Sequence, residues 1–155
     1  MRRKHRVEKE YEPDIVYRSP LVTRFINYLM KDGEKSVAQK ILYQTMDLIK
    51  KQTNQDPLNV FNLAVENISP EVEVKTKRVG GANYQIPQPV PDYRRTTLAF
   101  RWLIEVSRNK KGKSMANKLA EELIAASKNE GSAIKKKIDT HRMAEANRAF
   151  AHFRR

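Results

Sequence analysis

Seven basic residues fall between positions 94 and 113 against a single acid, Glu105, and three of them, Arg94, Arg101 and Arg108, are spaced by seven. On a helix that spacing returns to nearly the same side every two turns, so the three guanidiniums form one stripe with members about 10 Å apart along the axis. Arg95 lies beside the first of them, and Lys110, Lys111 and Lys113 continue the run past the helix end. A face built only for solubility would intersperse both signs. Residues 135 to 155 repeat the bias with seven basic residues against two acids, Lys135, Lys136 and Arg142 among them. The chemistry open to such a set is the holding of a polyanion.

Other chemistries find too few residues. The three histidines, His5, His141 and His152, cannot build a metal site, since the last two would lie about 16 Å apart on one helix. Asp139-Thr140-His141 names two members of a catalytic triad, but neighbours on a helix do not converge on one point. Gly112-Lys113-Ser114 imitates the end of a phosphate-binding loop, yet Ser107 stands where that motif needs its first glycine and a helix precedes it instead of a strand. A serine-capped helix start beside three lysines can still hold one phosphate of a larger polyanion. Clustered carboxylates are missing as well, so neither enzyme activity, metal nor cofactor is expected.

The whole composition agrees. A net charge of +13 and a pI near 10 on 155 residues suit a body that rests against nucleic acid. No apolar run approaches the roughly 20 residues needed to span a bilayer, so no membrane partner is expected. The start MRRKHR resembles the basic end of a signal peptide, but VEKEYEPD follows where an apolar stretch should be. Cysteine is absent, which excludes disulfides and thiolate metal sites and is compatible with a reducing compartment.

Helical signals dominate the elements that must position these charges, within one expected domain. Residues 1–18 have no apolar period and carry Arg2, Arg3, Lys4 and Arg6, which predicts an extended basic arm. Such an arm has little apolar surface to offset an ordering cost of about 1 to 2 kcal/mol per residue, so it should order only on RNA. Ser19-Pro20 is a cap followed by proline at the first helical position, and Leu21, Val22, Phe25, Ile26 and Leu29 give the first helix its apolar side before Gly33 stops it. A second helix over 35–51, with Lys35 at its start, turns Ala38, Ile41, Leu42, Thr45 and Ile49 inward. Asp56-Pro57 opens a third, with Phe61, Ala64, Val65 and Ile68 inward and Ser69-Pro70 at its end. The fourth, over 94–108, is expected to bury Leu98, Ala99, Trp102, Leu103 and Val106. Ser114 caps a fifth, with Met115, Leu119, Leu123 and Ile124 inward. A sixth runs from Ser132 towards the C-terminus. The expectation is a mainly α domain of about six helices over residues 19–155.

One stretch breaks the helical pattern. KTKRVGGANYQIPQPVPDYRR, residues 75–95, has paired glycines near its middle and a proline at every second position from Pro87 to Pro91. A two-residue primed turn at Gly80-Gly81 needs the positive φ that glycine supplies, and it sets Val79 opposite Ala82, Lys77 opposite Tyr84 and Lys75 opposite Ile86. Pro87 and Pro89 then land where the partner strand asks for no N–H. A protruding hairpin over about 72–91 is predicted, only two strands wide. Lys75, Lys77, Tyr84 and Ile86 share one face, with Arg78 near the tip on the other. Tyr84 could stack on an unpaired base, or it could pack the ribbon root onto the helices.

The stretches NYLMKDGEKSVAQKILYQT, KRVGGANYQIP, RRTTLAFRWL and HRMAEANRAFAHFRR also resemble, in order and spacing from Ser19 to Arg155, the seventh family of bacterial small-subunit ribosomal proteins. What the resemblance implies is a structural, non-enzymatic component of the cytoplasmic ribosome. It would bind the 3' major domain of small-subunit ribosomal RNA and nucleate assembly of the subunit head. The ribbon would border exit-site tRNA and the messenger exit path, with proteins of the head and platform as neighbours. The residues alone leave a second possibility, a nucleoid-type DNA binder whose basic ribbon enters a minor groove.

Overall fold

The fold is that of a computed structural model, which describes residues 11–154. The expected arm of residues 1–18 therefore lies mostly outside the described residues. The chain divides into two compact units, residues 1–40 and 41–155. Among the described residues no helix is long and apolar enough to cross a membrane.

The first unit opens with a tight turn. The buried Asp14 carboxylate accepts from the N–H groups of Val16 and Tyr17 at 3.0 and 3.1 Å, and Arg18, at φ +49°, donates its N–H back to the Asp14 carbonyl. Helix α1 then runs Pro20–Leu29 with proline in its first turn, and buries Val22, Phe25, Ile26 and Leu29. Asp32 and Gly33, both at positive φ, end this turn of chain, and α2, Lys35–Thr53, follows.

The second unit holds α3 (Pro57–Ile68), β1 (Val72–Val79), β2 (Ala82–Pro89), α4 (Asp92–Asn109), α5 (Met115–Ser127), α6 (Ser132–Ala146) and a C-terminal 3-10 helix, Arg148–Arg154. Asp56 caps α3 by accepting from the Leu58 N–H, and Ser114 caps α5 by accepting from the Asn117 N–H. Both caps were legible from residue type. The core of this unit includes Leu42, Met46, Ile49, Phe61, Ile68, Phe100, Leu103, Leu119 and Leu123, all essentially inaccessible to solvent. Each such side chain contributes about 1.5 to 3 kcal/mol by leaving water. Phe61 and Phe100 stack at 6.4 Å between α3 and α4.

Polar contacts fix how the helices meet. Asn67 on α3 donates its amide to the carbonyls of Ala126 and Ser127, capping the end of α5, while its own carbonyl accepts from Lys137 Nζ on α6 at 2.7 Å. Glu122, 2% exposed on its side chain, accepts from the Ala133 N–H at 2.8 Å and from Lys110 Nζ at 2.7 Å. One carboxylate thus serves the start of α6 and the end of α4, where the positive pole of α6 and the lysine both favour a negative group.

The apolar sides differ in detail from the periodic reading. In α4 the fully buried set includes Phe100, Ile104 and Ser107 beside Ala99, Leu103 and Val106, whereas Leu98 and Trp102 are only partly covered. The broad apolar stripe of α4 admits either rotation, and packing against α3 and α5 selects the one that turns Phe100 inward. In α5 the inward side is built largely of Ala116, Ala120 and Ala126, with Met115 and Ile124 partly exposed. The sixth helix stops at Ala146 instead of continuing: Asn147 donates its side-chain amide to the Met143 carbonyl, and the chain tightens into the 3-10 segment.

The hairpin has the expected register in every pair from Val72↔Pro89 to Val79↔Ala82. Gly80 and Gly81 sit at φ +57° and +91°, the left-handed values a primed turn requires. Pro87 faces Val74 and Pro89 faces Val72, so neither removes a donor that β1 needs.

Candidate nucleic-acid interface

Within the second unit, the predicted cations divide into those held by acids and those left open. Arg101, Lys111, Lys135 and Arg142 are exposed and make no ion pair among the described residues. Arg108 is also exposed. Lys136 reaches Glu105 at 2.6 Å, Arg95 reaches Asp92 at 3.5 Å, and Lys113 pairs with Glu121. Lys110 is held by the buried Glu122. Lys35 is exposed at the start of α2, and Arg2, Arg3, Lys4 and Arg6 lie outside the described residues.

Arg94 departs from the expected stripe. Its guanidinium meets the carboxylate of Glu73 on β1, with Nε donating at 2.7 Å to Oε1 and Nη2 donating at 2.7 Å to Oε2. Burial pushes the Glu73 carboxyl up, but the hydrogen bonds and charge of Arg94, with help from Lys75, outweigh it and hold the group below its ordinary value. The first guanidinium of the stripe therefore anchors the ribbon root, and Arg101 is the one that stands open on α4. Spacing alone could not reveal this, because Glu73 lies on another element.

Tyr84 packs within the protein, against the C-terminal 3-10 segment and not at the ribbon root. Its ring lies 5.2 Å from those of both Phe150 and Phe153, and Lys77 on the same face donates its Nζ to the Phe153 carbonyl at 3.1 Å. Phe150 and Phe153 of RAFAHF thus hold the C-terminal 3-10 segment against the ribbon. On the other side of the root, His141 Nε2 accepts from the Glu71 N–H at 3.1 Å. Burial, with the charge of Lys137, lowers the His141 pKa below its ordinary value. This histidine is a structural acceptor at the ribbon root.

The arrangement is therefore a helical body with open guanidinium and ammonium groups on α4, the 110–113 loop and α6, and a ribbon anchored at its root by an ion pair. A family model, ribosomal protein S7p/S5e, matches residues 1–148. The chain belongs to that family. Small ribosomal subunit protein uS7 of Thermotoga maritima is 56% identical over 154 residues, which is 99% of each chain. The uS7 proteins of Mycoplasmoides gallisepticum, at 56% over 98% of this chain and 99% of its own, and Fervidobacterium nodosum, at 53% over 99% of each, are similar to the same extent. Membership of uS7 makes the role structural, in the small subunit of the cytoplasmic bacterial ribosome. It also removes the nucleoid-type alternative, which rested on charge and a ribbon alone.

Proposed function

We propose that this protein binds the 3' major domain of small-subunit ribosomal RNA, nucleates head assembly there, and carries its ribbon beside exit-site tRNA and the messenger exit path. The observation that supports this most is the unbalanced positive surface of the second unit, where Arg101, Lys111, Lys135 and Arg142 have no acidic partner among the described residues. Exposed cations without local acids gain by replacing the counterions of a phosphate backbone. The basic residues of the arm, Arg2, Arg3, Lys4 and Arg6, are assigned to the same RNA.

Phosphate contacts supply affinity, while the folded shape of the RNA supplies discrimination. A helical body with separated charged patches suits structured RNA, whose phosphates are not evenly spaced along one axis. The proteins of the head and platform are the assigned neighbours. Competition between the 3' major domain transcript and duplex DNA of equal length, at fixed salt, tests the reading. The transcript should win by at least about a thousandfold, the lower range for specific over non-specific binding. Equal competition would overturn it.

A further inference from the structure

The two faces of the ribbon differ in what they leave open. On one face, Glu73, Lys75, Lys77, Tyr84 and Ile86 each have a protein neighbour. Glu73 holds Arg94, and Lys75 lies 3.4 Å from the same carboxylate. Ile86 is fully buried, Tyr84 sits against Phe150 and Phe153, and Lys77 donates to the Phe153 carbonyl. The opposite face carries Gln85, whose Oε1 accepts from Asn147 Nδ2 at 3.4 Å, and, nearer the turn, Thr76, Arg78 and Asn83, all three exposed and without a side-chain partner among the described residues.

We propose that the ribbon meets single-stranded RNA through the Thr76, Arg78 and Asn83 face, and that the Tyr84 face is a joint tying the C-terminal segment to the ribbon. This rests on the reading that the ribbon lies beside tRNA and messenger, and assigns which of its surfaces does so. Arg78 and Asn83 are direct cross-strand partners. Counting from the turn, they form a non-hydrogen-bonded pair, the kind in which opposed side chains stand closest. A guanidinium fork for phosphate therefore stands next to an amide that can both donate to and accept from a base edge. Thr76, two residues from Arg78 on the same strand and face, adds a hydroxyl suited to a ribose 2'-OH. No aromatic ring lies on this surface, so recognition is by hydrogen bonds to backbone and base edges instead of by stacking.

Tyr84 is held by tilted contacts with both phenylalanine rings. Its position orients the ribbon: the C-terminal segment grips one face near the tip while the Arg94–Glu73 pair holds that face at the root. Tyr84 is thus a positioning residue for the RNA-facing surface behind it.

The test uses small subunits reconstituted with the full-length protein, and reads exit-site tRNA affinity together with amide exchange of the ribbon in the free protein. Changing Arg78→Ala with Asn83→Ala should weaken tRNA binding about tenfold, the worth of one hydrogen bond to a charged group, with ribbon exchange unchanged. Tyr84→Leu keeps apolar bulk and removes the ring. It should leave affinity nearly unaltered wherever ribbon exchange stays at the wild-type rate. Phe150→Ala with Phe153→Ala should speed ribbon exchange and should not strengthen binding. A loss on Tyr84→Leu with unchanged exchange, or a gain when the two phenylalanines are removed, would overturn the face assignment while leaving the ribbon's location intact. If no substitution on either face alters tRNA affinity, the ribbon is not beside tRNA and both readings fall.

Discussion

Arg94 and Glu73, 21 residues apart, meet through three donor contacts, with Nε at 2.7 and 2.9 Å from the two carboxylate oxygens and Nη2 at 2.7 Å from Oε2. This pair joins the first turns of α4 to the second residue of β1, so the ribbon's root is set by a charge and not only by the covalent link through Val90 and Pro91.

Removal of either partner should loosen the root. Arg94→Ala leaves Glu73 nearly buried with only Lys75 for compensation, and should cost about 2 kcal/mol. The folded-state pKa of Glu73 lies below its unfolded one. The contribution of the pair is thus complete above the ordinary glutamate pKa and is lost as pH falls through the lowered value. Glu73→Gln should flatten that part of the acid limb, as read by denaturant unfolding at a series of pH values. An unaltered pH profile would show that the pair contributes nothing.

His141 gives a second pH dependence, higher on the scale. Its lowered pKa means that the unfolded chain takes up a proton before the folded one does. Stability therefore declines as pH drops below the ordinary histidine value towards the folded value. A proton on Nε2 would also break the bond from the Glu71 N–H. NMR titration of the imidazole should give a midpoint below the model-peptide value, and His141→Gln should remove this part of the decline.

Gly131 lies at φ +98°, and a Cβ built there would come 2.9 Å from Glu122 Oε1. Gly131→Ala should destabilise the protein by about 1 to 3 kcal/mol, since it adds backbone strain and displaces the carboxylate that starts α6. Glu122→Ala removes the acceptor for both Ala133 and Lys110, and should cost about 3 kcal/mol. Thermal unfolding of the two variants checks both values; a neutral Gly131→Ala would mean that the carboxylate readily shifts aside.

Local signals carried most of the fold. Asp56-Pro57 and Ser114 each announce a helix start through hydrogen-bond chemistry confined to a few residues, Ser19-Pro20 does so through proline alone because the Ser19 side chain makes no cap bond, and Gly80-Gly81 with Pro87 and Pro89 determines a register by counting. Rotation of α4 was less legible, because Leu98 and Trp102 are as apolar as Phe100 and Ile104 and only neighbouring helices decide between them. The charged surface was legible as composition but not as pairing. Glu73, Glu105 and Glu122 capture Arg94, Lys136 and Lys110 across distances in sequence that no periodicity encodes. Phe150 and Phe153 passed unnoticed as the partners of Tyr84 for the same reason, although two aromatic residues three apart near the end of a basic helix are a usable signal.

Salt dependence of binding to the 3' major domain transcript tests the central claim most directly. Each phosphate neutralised contributes roughly −0.7 to −0.9 to the slope of log affinity against log salt. The wild-type protein should therefore show a steep slope, and Arg101→Ala, Lys111→Ala and Lys135→Ala combined should reduce its magnitude by roughly 2 to 3 while the melting temperature holds. A wild-type slope near that of a single contact, or a triple variant with unchanged slope and affinity, would contradict the account.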